Sequence, residues 1–454
     1  MRWIFFAALI LLTALVLQAG LLAFAMYVLL GLLLLSRWLA KEWITGLTAK
    51  RESRTLEPAE IGDKVEIKVK VKNSGRITVA WLLLEDLLPE KARRQKRFRL
   101  KGKAIKIAML RAGKTAVLKY NILCEMRGLF QIGPTILETG DLFGLHRRHR
   151  IVTQPIFLMV YPKVLPLPKY NFASQRPIGE VNMAHRLFED PTRHAGVRPY
   201  QIGDPLQRVH WRATARTGEI MCKVYDPTSL AGATILLDFH IDSYHKRGEP
   251  HRSELGVTAA CSIAYAVSLL NQQVGLCTNG KDAADRVRLN VHIQEGEDTS
   301  TNSYETREEA KKEGAMQTSS DRLRPMVVET RRGIEQFQKI RETLARIELT
   351  DGLPFARMVF ELIGRIPRDA TIIALLGTVT PENANALGTL RRQGFAITVI
   401  CLMMDESEET EKSIGRLYAE GIRDVRHLPN EEALSQLCEQ STFGGTPYSM
   451  AVAY

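Results

Sequence analysis

Two features are scarce in this chain of 454 residues. One is closely spaced cysteines, and the other is charged residues, acidic ones in particular, near the start of the chain. The six cysteines are dispersed, and no spacing between them is typical of a zinc site or a thiol-exchange motif. They are Cys124, Cys222, Cys261, Cys277, Cys401 and Cys438. Free, buried thiols are typical of a reducing cytoplasm. The cysteine pattern therefore disfavours a disulfide-stabilised secreted protein.

No residue from Trp3 to Ser36 carries a charge. A membrane span needs about 20 apolar residues, and one helix over this whole stretch would be about 50 Å long, too long for the hydrocarbon core. The pattern predicts a transmembrane hairpin over 1–45, with two short helices that are broken near Gln18-Ala19-Gly20. A single tilted span and a cleaved signal peptide are the open alternatives, although the apolar run continues well past a signal-peptide core.

Basic residues flank both ends of this apolar stretch. Arg2 precedes it, and Arg37 and Lys41 follow it. Because positive residues favour the cytoplasmic side, both ends of the hairpin are expected inside the cell. This predicts a multi-pass protein of the inner (cytoplasmic) membrane. Its soluble domains are expected to face the cytoplasm, and the lipid bilayer is an expected partner.

Basic residues are in excess over 37–150, where 26 basic and 12 acidic residues give a net charge of +14, against +12 for the whole chain. The cluster Arg93-Arg94-Gln95-Lys96-Arg97 could face anionic lipids of the inner leaflet, or it could be a solvated loop between strands. Nucleic acid is not expected as a partner, since no recognisable reader module accompanies the charge.

Alternating patterns predict a β-sandwich, immunoglobulin-like, over 55–165. Residues 64–72 alternate apolar and charged side chains strictly, which indicates a half-buried strand, and Asn73-Ser74-Gly75 is its turn. Further strands are predicted over 78–84, 104–110 and 115–122. Glycine turns separate the later segments.

From Ala233 the pattern changes to that of a doubly wound α/β sheet. Residues 233–237 are a continuous apolar run that ends at Asp238, typical of a strand buried on both faces. Strands are also predicted over 274–278, 369–376 and 395–403, and helices over 253–270 and 383–392. The domain covers 231–435, and its polar segment 296–321 is expected to be a disordered or loosely ordered insertion.

Between the two domains, residues 180–230 contain the most informative segment of the chain, called here the signature segment. Its notable residues are Arg198, Tyr200, Gly203, Asp204, Arg208, His210, Trp211, Arg212 and Arg216. The large apolar Trp211 is expected to be buried, with Asp204 neutralising one of the arginines around it.

This spacing resembles the bacterial family called domain of unknown function 58. The resemblance extends to a membrane hairpin before the signature segment and a von Willebrand factor A-like domain after it. It implies no reaction, because the family has no established enzymatic activity. It does imply a partner class, the AAA+ ATPases of the MoxR type, and work on the assembly or maturation of protein complexes.

The resemblance also raises the question of a metal. Von Willebrand factor A-like domains bind a divalent cation through Asp-x-Ser-x-Ser, which falls here on Asp238, His240 and Asp242. Ser243 is one position late, so its side chain is expected to point elsewhere. Magnesium tolerates imidazole poorly, and residues 377–380 supply no further Asp. No cofactor is expected, except that these three side chains could hold zinc or manganese; the alternative is that they only stabilise a loop.

The leading hypothesis is a membrane-anchored, non-enzymatic adaptor that contacts its partner through the strand-end face of the α/β domain. That face comprises residues 238–243 and 377–381. The second hypothesis is a hydrolase or transferase that uses Asp204 and His210, although hydrogen bonding beside Trp211 explains the histidine more simply. The third is a cell-envelope protein working from the periplasmic side.

Overall fold

The computed structural model describes most of the chain outside its two termini. The described residues are 7, 10–13, 20–52, 57–141, 146–167, 189–201, 206–227, 232–287, 303–304, 306–317, 320, 322–368, 370–403 and 408–435. The helices are α1 Gly20–Thr45, α2 Glu90–Arg94, α3 Trp211–Thr217, α4 His251–Leu269, α5 Arg307–Gly314, α6 Ile334–Arg346, α7 Phe355–Leu362, α8 Pro381–Arg392 and α9 Glu408–Ala419.

The strands fall into several sheets. They are β1 Leu47–Arg51, β2 Lys64–Asn73, β3 Val79–Asp86, β4 Phe98–Lys101, β5 Ile105–Leu110, β6 Thr115–Cys124, β7 Gly128–Ile132, β8 Thr135–Gly140, β9 Arg147–Ile151, β10 Ile156–Val160, β11 Glu189–Pro199, β12 Met221–Pro227, β13 Gly232–Leu237, β14 Gln273–Thr278, β15 Lys281–Asp282, β16 Ser303–Tyr304, β17 Met326–Arg331, β18 Ile347–Glu348, β19 Ala370–Leu376, β20 Ile397–Leu402 and β21 Asp424–Leu428.

Two compact units divide the chain, and each is assembled from three segments. The sheet unit contains Met1–Lys163, Gly280–Leu323 and Arg341–Gly352, and the α/β unit contains Val164–Asn279, Arg324–Ile340 and Leu353–Tyr454. This division differs from the expected domains 55–165 and 231–435, because the sheet unit takes two segments from the second half of the chain.

Two antiparallel sheets share one apolar core in the sheet unit. Their strand orders are β1-β2-β6-β4 and β16-β9-β8-β3-β5. The alternation predicted for β2 is observed: Val69 and Val71 are buried, while Lys70 and Lys72 are exposed and Lys68 is half-buried. Leu82 and Leu84 of β3 face the same core from the other sheet.

Helix α1 is a single helix of 26 residues. Its residues Ala23–Thr45 are long and apolar enough to cross a membrane. The last third packs on the sheet unit, where Ala40, Trp43 and Ile44 are buried and the Ser36 hydroxyl donates a 2.5 Å hydrogen bond to Asp141. Most of the first helix of the predicted hairpin lies outside the described residues, so the hairpin stays a prediction.

One six-stranded sheet organises the α/β unit, in the order β17-β14-β13-β19-β20-β21. All neighbouring pairs are parallel except β17, which is an antiparallel edge strand. Every residue of β13, β19 and β20 is buried, because helices cover both faces of such a sheet. The strands predicted over 233–237, 274–278, 369–376 and 395–403 all occur within one or two residues of those bounds.

The expectation of loose order over 296–321 is wrong for part of that segment. Residues 307–314 form helix α5, which begins with a Thr306 hydroxyl cap and buries Ala310 completely. Arg307 and Lys311 form ion pairs with Glu85 at 2.6 and 3.1 Å. The polar residues of this helix face solvent and Glu85, so low mean hydropathy did not signal disorder.

Candidate functional site

The signature segment forms a hairpin and a short helix in the α/β unit. Strands β11 and β12 pair antiparallel, with Arg198 opposite Cys222, and Tyr200 follows β11. Arg208 is half-buried at the end of a 3-10 turn. Gly203 and Asp204 lie outside the described residues, so the expected neutralisation of an arginine by Asp204 stays a prediction.

His210 is the N-cap of helix α3. Its Nδ1 accepts the Ala213 backbone N–H at 3.0 Å, which satisfies one of the unpaired donors at the start of the helix. Its backbone N–H donates to the Met221 carbonyl at 2.7 Å, and its own carbonyl accepts the Thr214 hydroxyl at 3.1 Å. The Nδ1 bond therefore caps the helix, while the backbone bond to Met221 anchors it to the hairpin.

Trp211 is not buried, contrary to the expectation from its size: 73% of its surface is exposed. The reason is the orientation of helix α3. Thr214 turns toward the hairpin and accepts the Met221 N–H at 3.0 Å. At 3.6 residues per turn, Arg212 and Arg216 lie opposite Thr214, and Trp211 lies at the edge of the same exposed arc, about 60° from Thr214; all three are exposed. We call these three residues, with Ala215 between them, the Trp211 face.

Asp238 follows β13 and is completely buried. It accepts hydrogen bonds from the Ser243 hydroxyl at 2.6 Å, the Asn279 amide at 3.0 Å and the His240 backbone N–H at 3.2 Å. Burial raises the pKa of Asp238, and these hydrogen bonds oppose the rise. The carboxyl group is therefore part of the internal structure of the unit.

The expectation that Ser243 points elsewhere is wrong. The 3-10 turn Ile241–Ser243 reverses the chain after His240 and brings the serine hydroxyl back to the carboxyl group of Asp238. The predicted alternation assumed an extended loop, in which the side chain one position late would face away. Asn279, which follows β14, is the second polar partner of Asp238. No motif in the sequence identified this residue.

His240 and Asp242 do not join Asp238 in a metal site. The His240 Nδ1 accepts the Asp242 backbone N–H at 3.2 Å, while the Asp242 side chain is 85% exposed. Among the residues that the structure describes, no group of three His, Cys, Asp or Glu side chains is arranged to hold a metal ion. The zinc or manganese site suggested by these residues is thus not formed.

The crevice between β13 and β19 is filled by the chain itself. This is the position where the strand order reverses and where open α/β sheets bind ligands. A Cβ atom on Gly377 would collide with the Ser243 carbonyl oxygen and would lie 3.0 Å from the Tyr244 ring. The Tyr244 hydroxyl donates to the Asp238 carbonyl at 2.6 Å. The loop 238–244 therefore closes this crevice.

A buried ion pair that the sequence did not indicate lies in the sheet unit. Arg51 donates to both carboxylate oxygens of Asp86, at 2.7 and 2.9 Å, and the hydroxyls of Tyr120 and Thr135 donate to the same group at 2.5 and 2.9 Å. Burial raises the pKa of Tyr120, and Asp86 adds to the rise. This cluster links β1, β3, β6 and β8.

A second buried arginine has a capping role within the sheet unit. Arg127 donates to the backbone carbonyls of Leu344 and Ile347 at 2.7 and 2.9 Å. A helix leaves its last carbonyls unpaired, and the guanidinium satisfies them at the end of α6.

Comparison with known proteins gives a partial match. A family model described as "Protein of unknown function DUF58" matches residues 196–333. The "Uncharacterized protein YeaD" of Bacillus subtilis (strain 168) is 25% identical over 240 residues, which are 52% of this chain and 57% of that protein. The chain thus covers just over half of that relative's length.

Among solved structures, the ASH / PapD-like domain 7 of human CEP192 is 16% identical over 26% of this chain and 84% of its own, with a TM-score of 0.18. The CARDB domain of the PF1109 protein from Pyrococcus furiosus is 16% identical over 25% of this chain and 91% of its own, with a TM-score of 0.17. TM-scores this low give no evidence about the fold. The similarity to the DUF58 family, whose function is unknown, therefore rests on residues 196–333, which include the notable residues Arg198 to Arg216 of the signature segment.

Proposed function

We propose that the chain is a membrane-anchored interaction protein that binds a partner protein through the Trp211 face. The observation that carries this proposal is a tryptophan 73% exposed on a helix that is fixed in place. Most of this large apolar residue is in contact with water, and a partner's surface would remove that apolar area from water. Trp and Arg are the residues that most often dominate binding energy at protein interfaces.

The support beneath the Trp211 face suits a binding surface. The His210 cap and the Thr214 hydroxyl bonds hold helix α3 against the hairpin. A rigid anchor loses little side-chain freedom when it binds, which favours affinity. Arg212 and Arg216 stand one helical turn apart beside the tryptophan, so the surface is complementary to an acidic patch on the partner.

A MoxR-type AAA+ ATPase is the proposed partner, and this part rests on the family resemblance. The same resemblance suggests that the α/β unit is von Willebrand factor A-like and that an immunoglobulin-like sandwich links it to a transmembrane hairpin. In this proposal both units face the cytoplasm, where such an ATPase would assemble or mature protein complexes. The apolar helix α1 supports the membrane anchor.

The strand-end face is a poorer contact surface than the sequence suggested. Asp238 is buried and its oxygens are engaged within the unit. Substituting it would disturb folding rather than remove a contact. The proposal therefore moves the contact from residues 238–243 to the Trp211 face.

Binding of the purified full chain to a MoxR-type ATPase tests this proposal. Trp211→Ala should weaken the complex about 30-fold, which corresponds to the 2 kcal/mol of an interface hot spot. The matched control is Phe360→Ala, since Phe360 is an aromatic residue of the same unit and is 51% exposed. Both variants should unfold at the same temperature as the parent. Equal affinity of the two variants for the ATPase would reject the Trp211 face.

The enzyme alternative, a hydrolase or transferase using Asp204 and His210, is tested by His210→Asn. Asparagine is a good N-cap but lacks an imidazole for proton transfer. The interaction proposal expects this variant to bind the partner as well as the parent does, whereas His210→Ala should bind less well because helix α3 loses its cap. Turnover of a small substrate that His210→Asn abolishes would favour the enzyme.

A further inference from the structure

Two basic turns lie where helix α1 joins the sheet unit. The first begins at the end of β2 and contains Lys72 and Arg76, and the second precedes β6 and contains Arg111 and Lys114. All four side chains are exposed. Within the part of the chain that the structure describes, none of the four forms an ion pair. We call these four residues the basic turn pair.

Hydrogen bonds fix both turns to each other and to the end of the helix. The Ser74 and Gly75 N–H groups donate to the Gly46 carbonyl at 2.8 and 3.1 Å, and the Gly113 N–H donates to the Asn73 carbonyl at 2.8 Å. The buried Asn73 side chain also donates to the Leu110 carbonyl at 3.0 Å. The basic turn pair is therefore a rigid surface beside Gly46.

Helix α1 is attached to the sheet unit at two points, so the orientation of the sheet unit relative to this helix is fixed. Ser36 is bound to Asp141, and Arg150 donates to the carbonyls of Ile44 and Thr45 at 3.2 and 3.3 Å. From Ser36 to Gly46 the helix advances about 15 Å. That distance is comparable with the headgroup layer plus the length of an extended lysine or arginine side chain, if the exposed apolar residues before Ser36 occupy the hydrocarbon core.

The basic cluster Arg93–Arg97 lies at the other end of the unit. The backbone N–H of Glu125 donates to the Arg97 carbonyl at 3.1 Å, and Glu125 follows the last residue of β6, whereas Lys114 precedes its first. Ten residues of β6 span about 33 Å, which is several times the screening length of about 8–10 Å in physiological salt.

We propose that the basic turn pair binds anionic lipid headgroups of the bilayer that holds helix α1, an inference that rests on the membrane anchoring proposed above. Each lysine or arginine near an anionic surface contributes about 1 kcal/mol. Four such residues on one rigid surface fix the orientation of the sheet unit relative to the bilayer. The cluster Arg93–Arg97, for which the sequence suggested contact with anionic lipids, remains exposed to solvent.

Lysine footprinting of the full chain in vesicles tests this proposal. The vesicles contain phosphatidylcholine alone or phosphatidylcholine mixed with phosphatidylglycerol, and a membrane-impermeant N-hydroxysuccinimide ester acylates the exposed lysines. Acylation of Lys72 and Lys114, followed by peptide mass spectrometry, should be about fivefold slower in the anionic vesicles, the factor that corresponds to about 1 kcal/mol. Lys96, at the other end of the unit, is the internal control and should react at an unchanged rate. High salt should abolish the difference.

Two variants separate lipid binding from other causes of protection. Replacing Arg76 and Arg111 together by Gln should restore fast acylation of Lys72 and Lys114, whereas replacing Arg93 and Arg94 together by Gln should change nothing. Equal rates in both vesicle types, or equal protection at both ends of the unit, would overturn the proposal. A chain that alkaline carbonate strips from neutral vesicles would instead contradict the membrane anchor, so the two failures are distinguishable.

Discussion

Removing one partner of the Arg51–Asp86 pair should destabilise the sheet unit strongly, and the two single variants should differ. Breaking a buried pair costs about 3–5 kcal/mol because a charge stays behind without its partner. In Arg51→Met the carboxylate of Asp86 keeps the Tyr120 and Thr135 hydroxyls, so we expect about 3 kcal/mol. In Asp86→Leu the guanidinium keeps only long contacts with the Thr135 and Thr153 hydroxyls, at 3.3 and 3.5 Å, so we expect about 5 kcal/mol.

The double variant, Arg51→Met with Asp86→Leu, should be more stable than either single variant. It buries no charge, and its remaining cost is the loss of the acceptor for the Tyr120 and Thr135 hydroxyls, about 1–3 kcal/mol; Thr135 still accepts from the Thr153 hydroxyl. Hydrogen exchange of peptides from β3 and β6, measured by mass spectrometry, reports the sheet unit separately from the rest of the chain. An increase of about 150-fold in exchange rate corresponds to 3 kcal/mol.

A matched control tests whether the effect comes from burial. Lys68 pairs with Glu66 at 2.8 Å in the same unit, but both side chains are more than a third exposed. Exposed pairs contribute little, so Lys68→Met should leave the exchange of β3 and β6 almost unchanged. If the costs of the two single variants at Arg51 and Asp86 simply add in the double variant, the two residues are not coupled and the reasoning is refuted.

The remaining predictions concern Asp238. Ser243→Ala should lower the free energy of unfolding of the α/β unit by about 1–3 kcal/mol, because a buried acceptor loses its donor. Asp242→Ala, at an exposed position, should change the melting temperature very little. Equal losses in the two variants would contradict the turn geometry. Burial raises the pKa of Asp238 in the folded state. The stability it contributes is therefore fully present below about pH 4, the unfolded value, and is lost as pH rises through the folded pKa. Asp238→Asn should lack this component in unfolding curves recorded across the acidic range, and an unchanged pH profile would show that Asp238 does not titrate in this way.

The sheets were predictable because their burial is periodic or complete. Val69 and Val71 alternate with lysines, and β13 is apolar throughout, so local pattern and tertiary position agree. Helix α5 was not predictable in this way. It packs with one small residue, Ala310, and two ion pairs to Glu85, and its composition resembles that of a disordered segment.

The candidate site was harder to predict because two short turns determine it. Helix α3 is oriented by the hydrogen bond between Thr214 and Met221 in the next strand, and Trp211 lies at the edge of its exposed side. Ser243 reaches Asp238 because a single 3-10 turn changes the direction of the chain. Neither hydrogen bond has a periodic signal in the sequence, and one residue of rotation decides whether a side chain faces the interior or the solvent.

The division of the sheet unit into three segments has a consequence for the order of events during synthesis. Helix α1 and strands β1 to β10 leave the ribosome first, but Arg307 and Lys311, which pair with Glu85, follow much later, and the unit ends only at Gly352. About 190 residues separate Lys163 from that point, which takes about 10–40 s at about 5–20 residues per second. During this interval the nascent chain exposes the edge of β9 that β16 later covers. A recombinant fragment that stops near residue 163 would keep that edge exposed permanently, so fragment boundaries for this protein are better placed after Gly352.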